Sequence, residues 1–128
     1  MKGCKILVAE DEAIIALDLK IILETHSLVV IGTARTYEGV AKRIKEHSPD
    51  LLISTISLKN SKDYFDKIVA LQKEYKFSVL FLSSHLSTEK YKEKCDTHFF
   101  NFIKKPFDSE ILISTINSFK GIKSNEQT

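Results

Sequence analysis

The stretch Cys4-Lys5-Ile6-Leu7-Val8-Ala9-Glu10-Asp11-Glu12 decides how the rest of the chain reads. Cys4 to Ala9 is short and apolar, and it stops abruptly at three acids. That is the pattern of a strand buried on both faces. Ala13 to Glu24 follows with helical period. Ile14, Leu17 and Ile21 share one face, with Ala13 and Ala16 beside them, which predicts a helix with a broad apolar stripe of the kind that faces a core. A buried strand feeding directly into an amphipathic helix is the first half of a β-α-β unit.

The same alternation continues to the end. Leu28 to Ile31 is rich in β-branched residues and reads as a second strand ending at Gly32. Tyr37, Val40, Ala41 and Ile44 fall at i, i+3, i+4 and i+7 and define a second helix, capped by Thr36 and ended by Ser48-Pro49. Leu51 to Ile56 is the third strand. Leu58 to Lys62 is a polar loop, and Phe65, Ile68, Val69 and Leu71 mark the third helix. Ser78 to Leu82 is the fourth strand. Ser87 to Cys95 is mostly charged and is predicted as a short helix with Tyr91 and Cys95 as its apolar points. Phe99 to Ile103 is the fifth strand. Asp108 caps a last helix predicted to bury Ile111, Leu112, Thr115 and Phe119, and Gly121 stops it.

Five strand-helix units in a row require a parallel sheet covered on both faces. Right-handed crossovers make it a doubly wound, flavodoxin-like α/β sheet of five strands in the order 2-1-3-4-5 with five helices. The 128 residues suit one domain, and 43% hydrophobic residues are enough for its core. The net charge of +2 implies no general affinity for nucleic acid or membrane. No stretch approaches the roughly 20 apolar residues of a membrane span. The start of the chain lacks the apolar run and cleavage site of a secretory signal. Two cysteines, Cys4 and Cys95, without zinc spacing read as buried, reduced thiols of a cytoplasmic protein.

In such sheets function sits at the carboxyl ends of the strands. Those ends carry Glu10, Asp11 and Glu12 after the first strand, then Thr55, Ile56 and Ser57 after the third. The fourth supplies Ser83, Ser84 and His85, and the fifth Lys104, Lys105 and Pro106. Three adjacent carboxylates need a cation or a basic partner. Two of them can anchor Mg²⁺, which keeps several waters. Lys105 is an alternative partner, and a third possibility is that the acids merely open the first helix, whose dipole favours them. The four glycines build no phosphate-cradling loop, and there is no G-x-S-x-G elbow. His85, His26, His47 and His98 form no metal cluster in sequence.

Several segments together resemble the receiver domain of two-component response regulators, over roughly residues 4 to 120. They are Lys5 to Glu12, Ser48-Pro49-Asp50-Leu51-Leu52-Ile53, Phe81-Leu82-Ser83-Ser84, and Phe102-Ile103-Lys104-Lys105-Pro106-Phe107. The resemblance implies one receiver-like domain over residues 1–121 with a flexible tail at 122–128. It implies an acidic pocket at Glu10 and Asp11, a switch hydroxyl at Ser83, a switch aromatic at Phe102, a pocket lysine at Lys105 and a cis Lys105-Pro106 bond. In that family the end of the third strand carries an aspartate that accepts phosphate from a histidine kinase. Here that position is Thr55. Ser54 should point to the opposite face of the strand, and Asp50 lies at the strand's far end.

A threonine hydroxyl is neutral and needs a base to attack phosphorus. It also removes one of three carboxylates that would hold Mg²⁺. The resemblance therefore implies an atypical receiver without conventional aspartyl phosphorylation, not an enzyme, and holding Mg²⁺ only weakly at Glu10 and Asp11 if at all. Lys105 is expected to pair with Asp11. The expected partner is a histidine kinase or downstream effector, met through the face of helix 4, strand 5 and helix 5, with no direct nucleic-acid contact. The alternatives are a phosphoryl acceptor using Thr55 and a regulatory domain of a longer DNA-binding or catalytic regulator.

Overall fold

A computed structural model describes residues 4–59, 61–84, 89–96 and 98–119. His85, Gly121 and the tail 122–128 lie outside them. The elements are β1 (Lys5–Ala9), α1 (Ala13–Thr25), β2 (Val29–Ala34), α2 (Tyr37–His47), β3 (Leu51–Thr55), α3 (Tyr64–Tyr75), β4 (Ser78–Ser83), α4 (Glu89–Lys92), β5 (Phe100–Lys104) and α5 (Ser109–Asn117). All strand pairs are parallel, in the order β2-β1-β3-β4-β5.

Side-chain alternation along the strands divides the core into two layers. Leu7, Leu52, Val79 and Phe81 face one way and pack on Val40, Ile44, Phe65 and Ile68 of α2 and α3. Ile6, Val8, Ile53, Leu80 and Leu82 face the other way, onto Ala16, Leu19 and Leu23 of α1 and Leu112 and Ile116 of α5. The central strands are buried at almost every residue, which is why they read as continuous apolar runs rather than alternating ones.

The helix ends follow local chemistry. The Thr36 hydroxyl accepts a 3.0 Å hydrogen bond from the Gly39 amide at the start of α2, and Asp108 accepts one of 2.8 Å from the Ile111 amide at the start of α5. Thr36→Ala is expected to cost about 1 kcal/mol, measured as a shift of the urea midpoint at constant slope. An unchanged midpoint would show that this cap is replaced by water.

Four expectations need correction. β2 does not stop at Gly32 but runs to Ala34. The missing side chain at Gly32 leaves room for the Arg43 guanidinium, which lies 3.0 Å from where a Cβ would stand. The fourth helix ends at Lys92, short of Cys95, with few apolar points to hold a further turn; the predicted start at Ser87 lies outside the described residues. Ile111 is 49% exposed rather than buried. The largest departure is α1: Ile14, Leu17 and Ile21 are 83%, 56% and 54% exposed, and the helix instead buries Ala16, Leu19 and Leu23.

Candidate functional site

The register of the sheet assembles one rim from four strands. Ala9 of β1 pairs with Ser54 of β3, so Glu10 and Thr55 each stand one step beyond that pair. Val8 and Ile53 face the α1–α5 layer, and the two-residue repeat continues that face to Glu10 and Thr55. Thr55 pairs with Leu82 of β4, Ser83 pairs with Lys104 of β5, and the Lys105 amide donates to the Ser83 carbonyl at 2.8 Å. Glu10, Thr55, Ser83 and Lys105 thus come to one edge. The Lys105-Pro106 peptide is cis, as the resemblance implied.

Glu10 is 3% exposed. One carboxylate oxygen, Oε2, accepts a 3.1 Å hydrogen bond from the Glu12 amide. The other, Oε1, is buried with no hydrogen-bond partner among the described residues. Among the described residues the nearest cation is the Lys105 ammonium at 3.9 Å, too long for a hydrogen bond. Lys105 therefore approaches Glu10, not Asp11 as expected. Asp11 is engaged from elsewhere: its Oδ2 accepts a 2.6 Å hydrogen bond from the Lys59 amide in the loop after β3. Sequence reasoning missed Lys59 because a backbone amide leaves no signature in residue type.

Glu12 occupies the N-cap position of α1 without a side-chain cap bond, and the first turn of α1 holds no acid. The three acids therefore do not cap the helix through their side chains. One carboxylate oxygen from each of Glu10, Asp11 and Glu12 lies within 4.8 Å of the others. An all-oxygen donor set with one buried, unsatisfied oxygen fits a hard cation such as Mg²⁺.

Burial raises the Glu10 carboxyl above its ordinary 4.5; the Glu12 amide and the Lys105 charge pull it back, and Asp11 raises it further. The folded chain then holds this proton to higher pH than the unfolded chain. The stability it contributes is complete below 4.5 and is lost as pH rises through the folded value. Removing the lysine charge widens that loss. Lys105→Met is expected to match the parent at pH 4 and to be less stable than it at pH 7, where the Glu10 carboxylate has lost its neighbouring positive charge. Urea melts at the two pH values check this, and an equal offset at both would rule out the charge as the cause.

Around the pocket, the Ser54 hydroxyl is buried and lies 2.8 Å from the Tyr64 hydroxyl, on the α3 side of the sheet and away from the rim. Asp50 sits at the opposite end of the sheet, where its Oδ2 accepts from the Lys5 amide at 2.8 Å. Ser83 is buried. The Phe102 ring is half-buried, 5.6 Å from Phe81, with the Lys92 ammonium 6.0 Å above it. Cys4 is buried and Cys95 half-buried; burial pushes both thiols up to about 11, so neither is a thiolate at neutral pH. His26 ends α1 and His47 lies in the last turn of α2, so neither reaches the rim. Among the described residues no helix is long and apolar enough to cross a membrane.

Comparison with known proteins agrees with this architecture. Residues 6–117 match the response regulator receiver domain. The sensory transduction protein LytT of Bacillus anthracis is 24% identical over 123 residues, covering 95% of this chain and 49% of LytT. The phyllosphere-induced regulator PhyR of Methylorubrum extorquens is 32% identical over 104 residues, covering 80% of this chain and 38% of PhyR. The chain thus spans half or less of these relatives' length. Among solved structures, the response regulator PhyR from Brucella abortus superposes with a TM-score of 0.77 at 20% identity, over 90% of this chain and 46% of that one. The response regulator domain of Thermotoga maritima CheB gives 0.77 at 20% identity, over 94% and 98%. With the matched region covering nearly all of the fold, the chain belongs to the response regulator receiver domain family.

Proposed function

We propose that this receiver domain signals through contacts with partner proteins and does not carry phosphate on the residue that ends β3. Receiver domains are regulatory, and they interact with kinases and effector proteins. The observation that carries the proposal is Thr55, which stands beside Glu10 at the rim where the family places its phosphate-accepting aspartate. A neutral hydroxyl at that position offers no anionic nucleophile, and among the described residues no paired base stands ready to activate it. Glu10 and Asp11 would hold Mg²⁺ when it binds, and the ion would supply charge neutralisation for an anion at the rim. Without an aspartate at the end of β3, and with Lys105 beside Glu10, such binding is weak. The Lys105 charge stabilises the pocket in the absence of an ion.

Ser83 and Phe102 keep the residue types of the family's switch, so the α4–β5–α5 face is the proposed contact surface for a kinase or effector, in a cytoplasmic setting. The greater length of LytT and PhyR supports a second reading, in which the domain regulates an output segment joined to it.

Intact-mass measurement after incubation with acetyl phosphate and Mg²⁺ tests the main reading. The expected result is an unchanged mass. A gain of one phosphate that disappears in Thr55→Ala would restore phosphoryl transfer and overturn it.

A further inference from the structure

A cavity of about 230 Å³ lies between the loop after β3, the start of α3 and the α4 segment. Ser61, Asp63, Phe65, Asp66, Tyr91 and Lys94 stand on its walls, and no residue of the acidic corner at Glu10 to Glu12 does. The sequence explains why the gap stays open. α4 is a single described turn, and its ring contact with α3 is Tyr91 on Phe65 at 4.9 Å. With so few apolar side chains, α4 does not close along the length of α3.

The polar groups on these walls are only partly used by the fold. The Ser61 hydroxyl oxygen is buried with no hydrogen-bond partner among the described residues, a state that is costly unless something binds it. Asp63 holds the N-cap position of α3 but makes no side-chain cap bond, so its carboxylate is not spent on the helix amides. Asp66 is engaged, because the Lys94 ammonium lies 3.7 Å from it and joins the α4 segment to α3. Two carboxylates and one ammonium leave the walls with one negative charge. An anion fits badly. The amides at the start of α3 favour one, but two carboxylates stand at that end and Lys94 is already paired.

We propose that this cavity binds a small organic ammonium ion. The ammonium donates to the Asp63 carboxylate and the Ser61 hydroxyl, and the apolar body of the ligand lies against Phe65 and Tyr91. A primary ammonium offers three donors and no acceptor, which suits a wall whose unused groups are acceptors. The aromatic rings also attract a cation. Drug-sized sites run to roughly 300–1,000 Å³, so the ligand is smaller than these. Bound there, it bridges α3 and α4 and holds the α4 segment where the chain itself supplies few contacts. The site is separate from the rim at Glu10 and stands whether or not Thr55 accepts phosphate.

The test uses the full chain, labelled with ¹⁵N, and three probes that share one ring: benzylammonium, benzyl alcohol and benzoate. Benzylammonium is expected to move the amide signals of Ser61, Asp63 to Asp66 and Tyr91 to Lys94. It is expected to bind about tenfold more tightly than benzoate, since attraction to an exposed carboxylate becomes repulsion. Asp63→Asn is expected to weaken benzylammonium about fivefold and leave benzyl alcohol unchanged. Asparagine tolerates the left-handed backbone at this position, so the fold is kept. Ser61→Ala is expected to weaken benzylammonium about fivefold through the lost hydrogen bond. Lys94→Gln frees Asp66 and is expected to strengthen benzylammonium rather than weaken it. Benzoate binding as tightly as benzylammonium, affinity unchanged in Asp63→Asn, or no binding would overturn the proposal. So would shifts confined to Ala9 to Ala13, which would show that the acidic corner attracts the cation.

Discussion

Thr55→Asp is expected to bind Mg²⁺ on the order of 10- to 100-fold more tightly than the parent chain, the scale on which a metal-supporting group changes affinity. The reason lies in the sheet register. Residue 55 is one step beyond the Ala9–Ser54 pair and shares the face of Glu10. A carboxylate there adds a further anionic oxygen donor beside Glu10 and Asp11. Without metal the same substitution crowds negative charge around a carboxylate that is already 3% exposed and partly unsatisfied. The variant is therefore expected to be less stable than the parent in EDTA and to regain stability on adding Mg²⁺, because an ion that binds only the folded state stabilises it by mass action. Isothermal titration calorimetry and thermal melts with and without the ion measure both effects. With acetyl phosphate present, an aspartate oxygen can attack phosphorus and displace acetate, so intact mass should rise by one phosphate. If affinity, melting and mass all match the parent, then residue 55 does not complete this pocket.

Phe81→Ala is expected to cost about 3–5 kcal/mol. Phe81 is fully buried at the centre of β4. Its ring meets Phe65 of α3 at 5.1 Å, Phe100 of β5 at 6.1 Å and Phe102 at 5.6 Å. Truncation loses the transfer free energy of the ring and leaves a cavity that flanking strands of a sheet cannot close. Domains of this size are stable by about 5–15 kcal/mol, so the loss is a large share of the total. Urea unfolding followed by circular dichroism measures it. The chain has no tryptophan, which leaves its tyrosines as the intrinsic fluorophores. A cost below about 1 kcal/mol would mean that the aromatic cluster repacks into the space. Because Phe102 stacks on Phe81, the variant should also free the Phe102 ring, and broadened Phe102 signals would accompany the lost stability.

The pocket's polar contacts show how far residue types alone can carry a site. Glu10, Asp11, Thr55, Ser83 and Lys105 were legible as a group because each ends a strand, and parallel strands in a doubly wound sheet end on one edge. Which carboxylate meets Lys105 was not legible. Glu10 follows the inward face of β1 and is buried, whereas Asp11 points to the loop and is held by the Lys59 amide. One residue of offset along a strand reverses the side chain's direction, and no composition rule distinguishes the two acids.

The order of elements, the parallel sheet and the rim at the strand ends followed from the sequence by itself. Continuous apolar strands alternating with helical segments admit few other arrangements, and Thr36 and Asp108 mark helix starts through local hydrogen bonds that need no distant partner. The orientation of α1 did not follow. Its sequence holds Ile14, Leu17 and Ile21 on one face and Ala16, Leu19 and Leu23 on another, so the periodicity supports two apolar stripes. The larger side chains favoured the first. The tertiary structure chose the second, because the alanine lets α1 approach the sheet closely and the leucines reach the layer formed by Ile6, Val8 and α5. A helix buries the face that fits its neighbours, which is a property of the packed layer and not of the helix read alone.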